Sequence, residues 1–221
     1  MIFPESEHPK CGTEVRELLK KKRKREARYY ALKRLLDIVF SALLLVFLAL
    51  PMLGIALAVC MSSRGGALFR QVRVGKNGRE FLCLKFRTMY ESAPHDRPSG
   101  EMRDGRYITP IGRFLRRTSL DELPQLWNVL RGEMSLVGPR PIIPCEREIH
   151  ELRRRSGVDR LRPGMTGLAQ IRGRDLLPDR EKARLDTRYA NNASIFGDFR
   201  IMGETIFGVL LPYRATHFQM K

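Results

Sequence analysis

The chain has 221 residues, 43% of them hydrophobic and 29% charged, with a formal net charge of +17. That composition excludes a wholly disordered polymer and leaves room for one sizeable domain plus an appendage. The charge points to polyanionic partners (nucleic acid, anionic lipid or phosphorylated substrates) without choosing among them.

Residues 1–34 form a basic arm, densest from Lys20 to Arg34. Such a run is ordinarily a solvated, partly helical tail. Here an apolar segment follows at once, and basic residues beside a membrane segment are drawn to anionic lipid by roughly 1 kcal/mol each. Residues 35–63 are taken as that membrane segment, since Ile38–Ser63 contains no charged residue. The run is too long, and starts too late, for a signal peptide. Pro51 lies near its middle and is expected to break it, leaving arms of about 12 residues, roughly 18 Å each, too short to cross alone. Both flanks are basic, Lys33 and Arg34 before, Arg64, Arg70 and Arg73 after. Positive flanks favour the cytoplasmic face, so the segment is expected to enter, bend and return as a re-entrant hairpin. A kinked spanning helix is the alternative.

Residues 64–221 read as a cytosolic domain. Two short strands are expected within residues 68–89, joined by a turn at Gly75–Gly78. Residues 91–108 read as a loop. PIGRFLRRTS reads as a short basic helix, and SLDELPQLWNVLRGE as a helix whose stripe Leu123, Leu126, Trp127 and Leu130 faces a core. SLVGPRPIIP is a rigid turn, RPGMTGLAQIRGR a loop or strand region, and REIHELRRR and REKARLDTRYA are helices. The stretch from Phe196 to Leu211 is apolar at helical spacing, suited to lying on a membrane. The fold expected is mixed α/β (α+β): a mostly helical cytosolic domain with a small sheet, a re-entrant membrane hairpin and interfacial helices.

Cys11, Cys60, Cys83 and Cys145 show no CxxC spacing, and His8, His95, His150 and His217 are scattered, so neither a disulfide framework nor a zinc site is expected. The chemistry concentrates at Asp121-Glu122. Ser119-x-x-Glu122 matches a capping box, which would set both acids at a helix N-terminus. There an aspartate stays ionised and can attack phosphorus, while its neighbour can hold Mg²⁺. Two acids that merely cap the helix are the simpler alternative. Cations crowd this point: Arg113, Arg116 and Arg117 before it, Arg131 and Arg140 after it. Arg140 stands between Pro139 and Pro141, a stiff turn that suits bidentate phosphate recognition. Lys85 and Arg87 alternate with Phe86 on a presumed strand, one face of which offers cations to a site or simply to water. Arg172 and Arg174 follow a glycine-rich stretch in similar fashion.

Together KFRTM, SLDELPQLWNVLRGEMSLVGPRP and RPGMTGLAQIRGR resemble the bacterial sugar transferase family, the monotopic phosphoglycosyl transferases, over residues from about Leu32 to Ile206. The short length resembles its minimal members. The resemblance implies that Asp121 attacks the sugar-linked phosphorus of a UDP-sugar, that UMP leaves, and that polyprenyl phosphate carries off the phosphosugar. It implies Mg²⁺ held by Glu122 with Asp121, and substrate-binding roles at Lys85, Arg140, Arg174 and Asp186, to which the strand reading adds Arg87. It places the protein on the bacterial cytoplasmic membrane, with its catalytic domain on the cytoplasmic face, at the first membrane step of a glycoconjugate pathway. Expected partners are UDP-sugar, polyprenyl phosphate and anionic lipid, with no nucleic acid; homodimerisation is left open. Two positions depart from the family's common pattern: Leu50-Pro51 replaces Ser-Pro, and Gly173-Arg174-Asp175 replaces Gly-Arg-Asn. A membrane-tethered basic adaptor without enzymatic activity is the competing class. It leaves two acids among so many cations unexplained, and the chain lacks the aromatic-interleaved basic pattern of RNA-binding modules.

Overall fold

The computed structural model describes residues 10–93, 106–173 and 176–210. The chain divides into two units, residues 1–36 and 37–221. The first unit is helical from Lys10 onward, with residues 23–28 exposed and the rings of Tyr29 and Tyr30 in an edge contact at 4.9 Å.

Helix α1 runs Lys10–Phe47 and α2 runs Ala49–Ser62. Among the described residues no single helix is long and apolar enough to cross a membrane, but Arg23–Phe47 and α2 pass that test together, bent by 63°. The break falls at Leu48, three residues before the expected Pro51. The pyrrolidine ring clashes with the carbonyl four residues back, at Phe47, so the chain must turn there. Pro51 itself sits in the first turn of α2, where a missing N–H leaves nothing unsatisfied. The arm before the break is correspondingly longer than expected, because α1 is unbroken from Lys10. Asp37, just before the uncharged stretch, is buried, and its Oδ1 accepts the Leu136 N–H at 3.1 Å.

Strands β1 (Leu68–Val74) and β2 (Glu80–Phe86) form the expected antiparallel hairpin, in register from Leu68↔Phe86 to Val74↔Glu80. Its turn needs left-handed backbone at Asn77 (φ 57°) and Gly78 (φ 73°), where asparagine and glycine are the residues that tolerate it. Helix α3 (Pro110–Thr118) follows, as the sequence suggested; its Thr109 N-cap accepts the Gly112 N–H at 3.0 Å. One 3₁₀ turn, Leu120–Glu122, leads into α4 (Gln125–Arg131). Then come β3 (Ser135–Val137), α5 (Arg147–Ser156), β4 (Gly164–Thr166), α6 (Leu168–Arg172), α7 (Asp179–Asn191) and α8 (Ile195–Leu210). The sequence reading expected one small sheet. The structure has a second, a parallel pair β3–β4 with Ser135↔Gly164 and Val137↔Thr166. Its strands are three residues long, too short to leave an alternation in the sequence. Gly138 and Gly164 allow the close approach: a Cβ on Gly138 would stand 2.5 Å from the Arg162 carbonyl oxygen.

Three apolar clusters position the site. Val59 of α2 packs with Phe86 and Leu115, joined by Leu120 and Leu123 around the 3₁₀ turn. Cys83, Val129 and Met134 hold β2 against α4. Val137, Tyr189 and Ile201 join β3 to α7 and α8. The expected stripe on α4 is only partly inside. Leu126 is buried and Trp127 is 49% exposed, while Gln125, Asn128 and Val129 complete the buried face. The inward turn is set by polar anchoring through Asn128, which apolar periodicity does not register.

Candidate active site

Asp121 and Glu122 occupy the 3₁₀ turn between α3 and α4. The expected capping box is not made. Ser119 takes left-handed backbone (φ 57°, ψ 15°) as the C-cap of α3 and provides no side-chain cap to the turn that follows. Ending α3 in this way folds the chain back sharply, so both acids sit on a one-turn element rather than at an α-helix N-terminus.

The two acids have different surroundings. Asp121 is 8% exposed, whereas the Glu122 side chain is 24% exposed. Burial pushes the Asp121 carboxyl above its ordinary value; Lys85 opposes this, Glu122 adds to it, and Arg116 opposes it in turn. Glu122 Oε1 accepts a hydrogen bond from Lys85 Nζ at 2.6 Å. Arg116 Nε donates to Thr88 Oγ1 at 2.8 Å, and burial pulls its guanidinium below the ordinary value while Asp121 counteracts.

Asn128 ties the turn to the strand that carries Lys85. Its Oδ1 accepts the Leu84 N–H at 3.0 Å, and its Nδ2 donates to the Leu82 carbonyl at 2.7 Å and to Glu133 Oε2 at 2.6 Å. The side chain thus acts as a strand partner for β2, and it fixes the distance between the acids and the lysine.

A shallow, solvent-open cleft lies beside this arrangement, with Arg73, Lys85, Glu122, Gln125, Arg140 and Gln170 in its wall. Two guanidiniums, an ammonium and a carboxylate around one small space suit a diphosphate, which takes charge-assisted hydrogen bonds from several cations at once. Asp121, its neighbour in the chain, is buried and is not among the wall residues.

The structure therefore brings Lys85, Glu122 and Arg140 to one pocket with Asp121 beside it. Two other expected residues point elsewhere. Arg87 donates to the Arg64 carbonyl, to the Ser63 carbonyl at 2.9 Å and to the Val59 carbonyl at 3.5 Å. It serves the open carbonyls at the end of α2, because β2 stops at Phe86 and strand alternation does not extend past it. Asp186 is 1% exposed on α7 and is ion-paired to Arg153 at 2.7 Å, away from the pocket wall. Arg174 lies outside the described residues. Sequence reasoning passed over Arg73, Gln125 and Gln170 as wall residues. The signal for Gln125 was a polar residue inside an apolar helix run; Arg73 looked like one more flanking cation.

Among the described residues no group of three or more His, Cys, Asp or Glu side chains converges as a metal site. The donor set present, one pocket carboxylate and one buried beside it, fits an ion such as Mg²⁺. That ion takes one or two carboxylates and completes its shell with substrate phosphate and water.

The family model described as bacterial sugar transferase matches residues 28–212. A UDP-galactose-lipid carrier transferase of Erwinia amylovora is 41% identical over 198 residues, covering 81% of this chain and 40% of that protein. The exopolysaccharide production protein ExoY of Sinorhizobium fredii is 38% identical over 195 residues, 81% of this chain and 85% of that protein. A UDP-glucose:undecaprenyl-phosphate glucose-1-phosphate transferase of Caulobacter vibrioides is 43% identical over 194 residues, 83% and 71% of the two chains. Some relatives are much longer, and the chain spans about two fifths of the Erwinia protein. With the family model covering most of its length and relatives near 40% identity, the chain belongs to the bacterial sugar transferase family.

Proposed function

We propose that the chain transfers a phosphosugar from a UDP-sugar to polyprenyl phosphate, giving a polyprenyl diphosphate sugar and UMP. The observation that carries this reading is the pocket itself: the Lys85–Glu122 pair at 2.6 Å, with Arg73 and Arg140 in the same wall and the buried Asp121 next to Glu122 in the chain. The names of the relatives point the same way, two of them specifying a UDP-sugar and one of those undecaprenyl phosphate. In this reading an Asp121 carboxylate oxygen forms a bond to the sugar-bearing phosphorus. The bond from that phosphorus to the bridging oxygen breaks, and UMP leaves with that oxygen. The acceptor's phosphate oxygen then displaces Asp121 and takes the phosphosugar. Lys85, Arg73 and Arg140 hold the diphosphate, and splitting one exchange into two displacements lowers each barrier. Glu122, with Asp121, would hold Mg²⁺, which screens phosphate charge. A lipid acceptor also requires membrane access, which the bent pair α1–α2 supplies. Its exposed apolar residues include Val46, Phe47, Leu50 and Met61, and basic residues flank both ends, as a re-entrant hairpin on the cytoplasmic face requires.

A single in-line displacement without a covalent intermediate is the second reading. It is favoured by one observation, that Glu122 and not Asp121 lines the pocket. The assay for the proposal is incubation of the full chain in detergent with UDP-sugars, Mg²⁺ and polyprenyl phosphate. UMP release with at least one UDP-sugar is expected. No UMP from any common UDP-sugar would move the assignment to a basic membrane adaptor.

A further inference from the structure

Arg140 is held in an unusual way. It sits between two prolines, which have no N–H to anchor the turn. The turn is held instead through its carbonyls, each by a different donor. Pro139 O accepts from Gly164 N at 2.8 Å, and Ile142 O accepts from Val74 N at 2.9 Å. The two carbonyls between them accept from side chains: Pro141 O from Arg73 Nη1 at 3.1 Å, and Arg140 O from Arg153 Nη1 at 2.8 Å. Arg153 is fixed in turn. Its Nε and Nη2 both donate to Asp186 Oδ2, at 2.9 and 2.7 Å, leaving Nη1 for the carbonyl. The pair is inside the protein, with side chains 8% and 2% exposed. Helices α5 and α7 meet there, and apolar residues of similar volume would satisfy packing at least as well. A buried ion pair is therefore weak evidence of a purely stabilising role.

We propose that Arg153, oriented by Asp186, is a positioning residue for Arg140. The planar fork spans an aspartate on one helix and the backbone carbonyl of the pocket arginine, so the turn cannot rotate without breaking that bond. Asp186 then serves the substrate site without touching substrate. This rests on the reading that Arg140 contacts substrate phosphate. Lysine at 153 has the charge but not the fork and cannot serve both partners.

The test is a double-mutant cycle on UDP affinity, measured by calorimetry on the full chain in detergent, with UMP release followed in parallel. Arg153→Lys is expected to weaken UDP binding by about tenfold, within the range of coupling between residues of one hydrogen-bond network. Asp186→Asn, which keeps the shape, serves as the second variant and is expected to act in the same direction. In an Arg140→Met background either change should cost less than about twofold further, because the residue it acts through is gone. The thermal midpoint should fall equally in both backgrounds. Losses of affinity that simply add overturn the relay and leave the proposed function standing. Wild-type UDP affinity in Arg140→Met overturns the phosphate reading of Arg140 and the relay with it. UDP binding that follows the cycle without any UMP release supports the relay and overturns the transferase reading alone.

Discussion

Asp121 and Glu122 are adjacent acids that the fold treats differently. Asp121 is buried, and burial holds its carboxyl above the usual range; Glu122 reaches Lys85 at the pocket wall. An acid raised in this way favours the folded state while protonated, and that contribution is lost as pH rises from the unfolded value through the folded one. Asparagine carries no such loss. Asp121→Asn in chelator should therefore unfold at a higher temperature than the unsubstituted chain at about pH 7, with the advantage shrinking toward about pH 4. An advantage that grows toward acid pH would mean that the pocket stabilises the ionised carboxylate. The two acids stood out in the sequence through the cations around them. Their geometry was not, because Ser119 looked like an N-cap and is in fact the left-handed C-cap of the helix before. Arg87 and Asp186 lie outside the pocket wall for a related reason: a charged residue in sequence does not announce whether its partner is a ligand, a helix end or another buried charge.

At the scale of elements, Asn128 couples α4 to β2, replacing a strand neighbour by one carboxamide. Asn128→Ala leaves the Leu84 N–H and Leu82 carbonyl without this partner in a partly buried place. It should destabilise the chain by about 2–3 kcal/mol, read as a shift in the denaturation midpoint. A change within the scatter of surface substitutions would show that β2 is held by its apolar contacts alone. The bend between α1 and α2 belongs to Pro51, acting one turn upstream at Phe47. Pro51→Ala restores an N–H for that carbonyl, so spin labels at Leu43 and Met61 should move apart as the pair straightens. An unchanged separation would assign the bend to the Arg87 bonds and the Val59 packing instead. Elements with strong periodicity or caps, such as α3, α5, α7 and the β1–β2 hairpin, were readable in advance. The three-residue strands β3 and β4 exist only because glycines let two distant segments touch, a tertiary fact with no local period.

Across the whole molecule, a basic chain, a bent apolar helix pair and a cation-walled pocket with one acid in its wall occur together in a member of this family. Charge and the uncharged run were plain in the sequence, and the motif order identified the family. The pocket wall was not, since Arg73, Gln125, Arg140 and Gln170 come from four separate elements and turns. The central claim is that Asp121 carries the phosphosugar between donor and acceptor. Mass spectrometry of the full chain after brief exposure to a UDP-sugar and Mg²⁺, without lipid acceptor, tests it directly. A sugar-phosphate adduct mapping to Asp121, formed together with UMP and discharged on adding polyprenyl phosphate, is the predicted result. UMP that appears only when the lipid is present, with no adduct on the chain, or an adduct that maps to Glu122, would contradict it.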